Sequence, residues 1–200
     1  MTDTTMPATT ILSLAGVVLT LPVLSDTTLI LIDYQNEYLS GPLALVGADV
    51  ALERAAILLQ AARAAGTRII HVAHRGEAGD LFDRGAFRGA FIPAVAPAEG
   101  EAVVEKTYAN AFAATDLEAL VGPAGTKIVV AGFMTHNCVS STVRAARDRD
   151  YSITVAGDAC ATRDLPLPSG VVRAADLHRA TLAALADTHG LIADVAELVR

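Results

Sequence analysis

Short β-branched apolar runs alternate along the chain with longer segments whose apolar positions recur every three or four residues. Residues 27–33 (TTLILID) are a continuous apolar run closed by an acid, the pattern of a strand buried on both faces. Asp49 predicts the cap of a helix over residues 50–65, with Gly66 as its stop signal. Further strands are predicted at 67–73 (TRIIHVA), 101–106 (EAVVEK), 127–131 (KIVVA), 152–156 and, briefly, 191–193. Helical patterns fall at 115–121, at 139–149, where Val139, Val143 and Ala146 share a face, and at 171–188. Residues 132–137 read as a turn. Residues 75–100 are rich in Gly, Pro and Phe and show no period, and an insertion of that length in a compact domain is usually functional or mobile. This alternation predicts an α/β fold, a three-layer αβα sandwich with a central, mostly parallel sheet of about six strands. No repeat, linker or break in composition divides the chain, so residues 1–200 are expected to form one domain.

Composition narrows the function. Hydrophobic residues make up 52% and charged residues 18%, which excludes intrinsic disorder. Fifteen basic against 22 acidic residues leave a net charge of −7, so no basic stripe exists to neutralise phosphates and no nucleic-acid partner is expected. Two cysteines, Cys138 and Cys160, make no disulfide framework and fit a reducing compartment. The apolar run at residues 11–24 is too short to span a bilayer and contains Pro22. No positive charge precedes it and no small-x-small cleavage site follows it. The expectation is a cytoplasmic protein with no membrane partner.

Open parallel sheets bind ligands beyond the carboxyl ends of their strands. Three reactive side chains fall there: Asp33 closes the first strand, Lys106 closes the third, and Cys138 follows the fourth by one tight turn. Taken singly, each has an ordinary reading: a turn cap, a solvated charge and a small buried hydrophobe. Together they are the set that thiol catalysis requires. A thiol must lose its proton to attack, a cation lowers its pKa, and a carboxylate accepts and returns the proton. Cys138 also lies at the predicted start of the 139–149 helix, where free N–H groups favour a thiolate.

Three stretches resemble one known family, the isochorismatase-like cysteine hydrolases. They are TLILIDYQNEY ending at Tyr38, VVEKTYANAF from Val103 to Phe112, and VVAGFMTHNCVSSTVRAARDRDYSITVAGDACATRDLP from Val129 to Pro166. The resemblance covers most of the chain, with the motifs in order. It implies a catalytic triad of Asp33, Lys106 and Cys138. It also implies a cis peptide between Phe133 and Met134 in the Gly-x-x-Thr turn, which turns the N–H groups of Met134 and Cys138 toward the substrate oxyanion. The implied reaction is hydrolysis of a small amide through a thioester on Cys138.

The nicotinamidase branch of that family binds a metal through an Asp-x-His pair, whereas Asp49 is followed here by Val50 and Ala51. His71 and His74 sit three apart in a strand and so point to opposite faces, and both read as ordinary rim or core histidines. Neither metal nor other cofactor is expected. Cys160 reads as structural. Gln35, Phe82, Tyr108, Phe112, Phe133 and His136 are the candidate pocket residues, with the 75–100 segment and its Phe82, Phe87 and Phe91 as a lid or wall, or else a subunit contact. Alternative readings are isochorismatase-type or ester hydrolysis and, of another class, a non-catalytic metabolite-binding or redox-sensing thiol protein. The expected partners are a small-molecule substrate and further copies of the chain, as a dimer or tetramer.

Overall fold

In the computed structural model, which describes residues 8–200, eight strands and seven α-helices follow one another in chain order. They are α1 (Ile11–Leu14), β1 (Thr28–Ile32), α2 (Glu37–Ser40), α3 (Ala48–Ala64), β2 (Arg68–His74), β3 (Ala102–Lys106), α4 (Leu117–Val121) and β4 (Lys127–Gly132). Then come α5 (Ser140–Arg147), β5 (Ser152–Ala156), β6 (Leu165–Leu167), β7 (Gly170–Val172), α6 (Ala174–Thr188), β8 (Leu191–Ala193) and α7 (Val195–Leu198). Six strands form one sheet in the order β3-β2-β1-β4-β5-β8, with every pairing parallel. Among the described residues no helix is long and apolar enough to cross a membrane, and the apolar run at 11–24 contributes the single turn of α1 and, at Leu24, the start of a short 3-10 turn.

The sheet is buried on both faces because alternate residues of each strand feed different cores. Leu29, Leu31, Val129 and Ala131 pack on one side with Ala51, Ala55, Leu58 and Leu59 of α3. Ile30, Ile32, Ile70, Val72, Val104, Ile128 and Val130 pack on the other, with Leu117 of α4 and Val143 and Ala146 of α5. Each fully buried Leu, Ile or Val side chain among them contributes about 1.5–3 kcal/mol. The three-layer architecture is therefore written in a period of two along the strands and of three to four along α3.

The structure departs from the sequence expectation in local detail. Asp49 does not cap α3; Gly47, at φ +73°, takes the N-cap position, and Asp49 falls in the first turn. The helix predicted over 171–188 begins only at Ala174, because residues 170–172 pair antiparallel with 165–167 as a small hairpin separate from the main sheet. β-branched Val171 and Val172 sit more readily on that ribbon than in a helix. The helix predicted from Val139 starts instead with a π-turn over Thr135–Val139, so Cys138 lies inside the helical stretch rather than before it.

The strand order places the switch point between β1 and β4, where the chain's crossovers diverge toward opposite edges. Gly132 is needed there. At φ +150° its position leaves no room for a side chain, since a Cβ would lie 2.2 Å from the Ile32 carbonyl oxygen. β1 and β4 thus end in close contact, and the residues that follow them share one rim.

Candidate active site

Four adjacent strands, β3, β2, β1 and β4, each deliver one polar side chain to this rim. β1 ends as Asp33 enters the left-handed region at φ +54°, a conformation that a short polar residue tolerates. The Asp33 N–H still donates to the Val72 carbonyl at 2.8 Å, which anchors the bend to β2. His74 and Lys106 are register partners at the ends of β2 and β3, so their side chains leave the sheet on the same face. Cys138 comes from the π-turn after β4, on the side of the sheet where α5 packs.

These four groups meet. The Lys106 ammonium donates to Asp33 Oδ2 at 2.7 Å, to His74 Nδ1 at 3.1 Å and to Cys138 Sγ at 3.3 Å. Its three N–H bonds are thereby matched one to one by three acceptors. Exposure is 0% at Asp33, 1% at Lys106 and 3% at Cys138, whereas His74 is half-buried and forms the open side of the cluster. Asp33 Oδ1 is buried without any hydrogen-bond partner.

Burial raises the Asp33 carboxyl above the ordinary carboxylate range, against the pull of Lys106. The thiol shifts further. Burial first, and the Asp33 charge second, push Cys138 up to about 12, and Lys106 only partly opposes them. The neighbouring cation does lower the thiol pKa, as expected, but desolvation and a like charge outweigh one lysine, so the net direction is upward. Cys138 rests as a thiol beside a base. Burial and then Lys106 lower the His74 pKa, so a neutral imidazole accepts the lysine proton at Nδ1.

The turn carrying Cys138 is propped from outside. The Phe133–Met134 peptide is cis, as the resemblance implied. Thr135 N donates to the Ala161 carbonyl at 3.0 Å, and the Asn137 and Val139 amides donate to the Met134 carbonyl. No described residue accepts from the Met134 amide.

The candidate pocket residues divide. Phe82 packs on the rings of His74 and Tyr38, with centroids 5.0 and 5.2 Å away, and so borders the cluster. Gln35 is spent on backbone: its amide nitrogen donates to the His74 and Gly89 carbonyls, and its oxygen accepts from the His74 N–H at 2.8 Å. It braces the site and has no group left for a substrate. Phe133 is fully buried against Tyr34 and Tyr38. His136 Nδ1 meets the Thr162 hydroxyl at 2.6 Å. Tyr108 stands on the surface, 59% exposed. Phe112 stacks on Tyr151 under the Arg149 guanidinium, and Tyr151 precedes β5, so this ring faces the amino-terminal end of the sheet, away from the cluster.

The 75–100 segment packs onto the rim. Asn36 bonds to Ala90 and Phe87, and Ile92 donates to the Tyr34 carbonyl, which ties the segment to the residues just after Asp33. Of its aromatic residues Phe82 turns inward and Phe87 stays exposed. Cys160 is buried with its thiol on the Ala156 carbonyl. A surface concavity of about 490 Å³ lies elsewhere, lined by Arg63, Arg68, Glu101 and Leu120, and includes none of the four clustered groups.

Sequence reasoning missed His74. Its parity with Lys106 at two strand ends was the available signal, since register partners in a parallel pair share a face. Asp33, His74 and Cys138 are also the group whose donor atoms could hold a metal ion, although the ammonium lies between them.

A buried thiol, carboxylate and ammonium beyond the carboxyl edge of an open α/β sheet define an enzyme with the equipment of a hydrolase. Comparison with known proteins agrees: the isochorismatase domain matches residues 27–197. A crystal structure of an isochorismatase from Pseudomonas putida KT2440 superposes with a TM-score of 0.90 at 45% identity, covering 96% of this chain and 99% of that one. A secreted isochorismatase effector of Verticillium dahliae is 38% identical over 84% of this chain and 87% of its own length. Maleamate amidohydrolase from Pseudomonas putida is 32% identical over 64% of this chain and 68% of its own. The chain belongs to the isochorismatase family of hydrolases.

Proposed function

We propose that the chain hydrolyses a small non-peptide amide, with Cys138 as nucleophile, Asp33 as proton carrier and Lys106 as the fixed cation. One observation carries this reading: a single buried ammonium holds the carboxylate and the thiol at 2.7 and 3.3 Å. The amidohydrolase among the relatives supports the choice of an amide over an ester.

In this reading, Asp33 takes the Cys138 proton as the sulfur attacks the substrate carbonyl. Burial suits Asp33 to the task, because a raised carboxyl pKa brings it nearer to the operating pH of a general base. The thiolate exists only alongside Lys106, which balances the charge that leaves Asp33. The tetrahedral oxyanion is received by the N–H groups of Met134 and Cys138. Asp33 then returns the proton to the departing amine and leaves a thioester on Cys138. Water, deprotonated by the same carboxylate, attacks the thioester, releases the acid and restores the thiol.

Ammonia or amine release, measured over a panel of small amides and matched esters, tests this directly. The native chain should release amine from at least one amide, and Cys138→Ala and Asp33→Asn should both lose that turnover. Full turnover in Cys138→Ala would sink the nucleophile assignment. Turnover of esters alone would move the reading to the non-amide alternative.

A further inference from the structure

The Lys106 ammonium fills a hole of unusual chemistry. One carboxylate oxygen, one imidazole nitrogen and one sulfur converge on it, and these three atoms lie within 4.8 Å of one another. That is a donor set that Zn²⁺ takes, and the three atoms, now 2.7–3.3 Å from the ammonium at their centre, would draw in to about 2.0–2.2 Å for oxygen and nitrogen and about 2.3 Å for sulfur, with water as a fourth ligand. The mixed nitrogen and sulfur donors disfavour oxygen-seeking ions such as Mg²⁺ and Ca²⁺.

Three further observations prepare the site. His74 Nδ1 already acts as an acceptor, so it needs no change of tautomer to ligate. Its backbone is clamped at both N–H and C=O by Gln35 and its ring packs on Phe82, which fixes its direction as an outer shell does around a metal. Asp33 Oδ1 is buried and unpartnered, a spare oxygen donor beside the one that Lys106 uses.

We infer that Asp33, His74 and Cys138 form a latent site for a thiophilic dication, Zn²⁺ above all, which the Lys106 ammonium keeps occupied by a single positive charge. Coordination forms a zinc–sulfur bond, and the thiol proton is released to water; nothing is oxidised or reduced. The bound ion would hold the sulfur that the reaction uses, so zinc acts as an inhibitor. Lys106 then has a second role as the guard of the nucleophile. Access runs past His74, the half-buried member of the four.

Lys106→Ala removes the guard and empties the volume of its side chain. After equilibrium dialysis against Zn²⁺, that variant should retain one equivalent, and with Co²⁺ in its place it should show a thiolate-to-metal charge-transfer band. Adding Cys138→Ser or His74→Ala in the same background should weaken retention at least about tenfold. Because Lys106→Ala leaves Asp33 buried without its counter-charge, the native fold supplies a second arm. Zn²⁺ in enough excess to displace the Lys106 ammonium should leave the native chain holding one equivalent more than Cys138→Ser, with Cys160 common to both. A folded Lys106→Ala that takes up no Zn²⁺ overturns the proposal; if that variant does not fold, equal uptake by the native chain and Cys138→Ser overturns it. No readout involves turnover, so this site and the proposed hydrolase activity stand or fall separately.

Discussion

Two histidines on β2, three residues apart and on opposite faces, head two charged clusters that treat a carboxylate in opposite ways. His71 is buried with Nε2 at 2.7 Å from Glu101 Oε2. That carboxylate also accepts both Arg63 donors, at 2.7 and 2.9 Å, and the Ala98 amide at 2.8 Å. The Arg63 guanidinium above all holds Glu101 down to about 2, well below its ordinary 4.5. Across the sheet, Asp33 has one strong donor and one bare oxygen, and burial raises it instead. A carboxylate saturated with donors gives up its basicity and holds loops together. One left short of donors in a dry site keeps its basicity for a proton. The difference lies in burial and in the count of partners, not in the carboxylate itself.

The largest expected effect sits in the under-satisfied cluster. Asp33→Asn should lower turnover of an amide substrate by at least about 10³-fold while circular dichroism stays native. Near-native turnover would make Asp33 and Glu101 equivalent and break the contrast. Next comes stability. Lys106→Met removes the cation but keeps the stem, leaves the Asp33 charge buried and unpaired, and should cost about 3–5 kcal/mol in urea unfolding.

Glu101→Gln should cost less, about 1 kcal/mol, because its one remaining oxygen still accepts and the Arg63 donors it loses are open to water, and turnover should be unchanged. Its pH signature sharpens the comparison. The folded pKa is depressed, so the Glu101 contribution is present above about pH 4.5 and is lost as pH falls toward about 2. Acid unfolding of the native chain should contain that loss, and Glu101→Gln should lack it; parallel acid profiles would remove Glu101 from the argument. A similar cost, about 1 kcal/mol with turnover intact, is expected of Phe112→Leu, since its ring lies at the far end of the sheet. Phe82→Leu, beside His74, should disturb turnover more than stability.

Much of this was legible in the chain. Residues 29–32 are apolar without interruption because both faces of a central parallel strand are covered, and the same holds for 128–131. Asp33, Lys106 and Cys138 could be singled out because strand ends in such a sheet share a rim, and the Val129–Pro166 stretch carries the family's motif. The hairpin at 165–172 was not legible: Val171 and Val172 match a helix by period, and only their pairing with Leu165 and Pro166 decides otherwise. Phe112 and Gln35 were misplaced because closeness in sequence to Lys106 and Asp33 says nothing about where a side chain points.

Sequence alone therefore determined the layers, the strands of the main sheet and three of the four groups that meet at the rim, since hydrophobic period and residue chemistry are local properties. The tertiary structure decided what those groups do to one another. Register put His74 beside Lys106, strand order put Asp33 between β2 and β4, and burial set the direction of each proton affinity. Those are sums over neighbours distant in the chain, and desolvation exists only once the chain has closed around them.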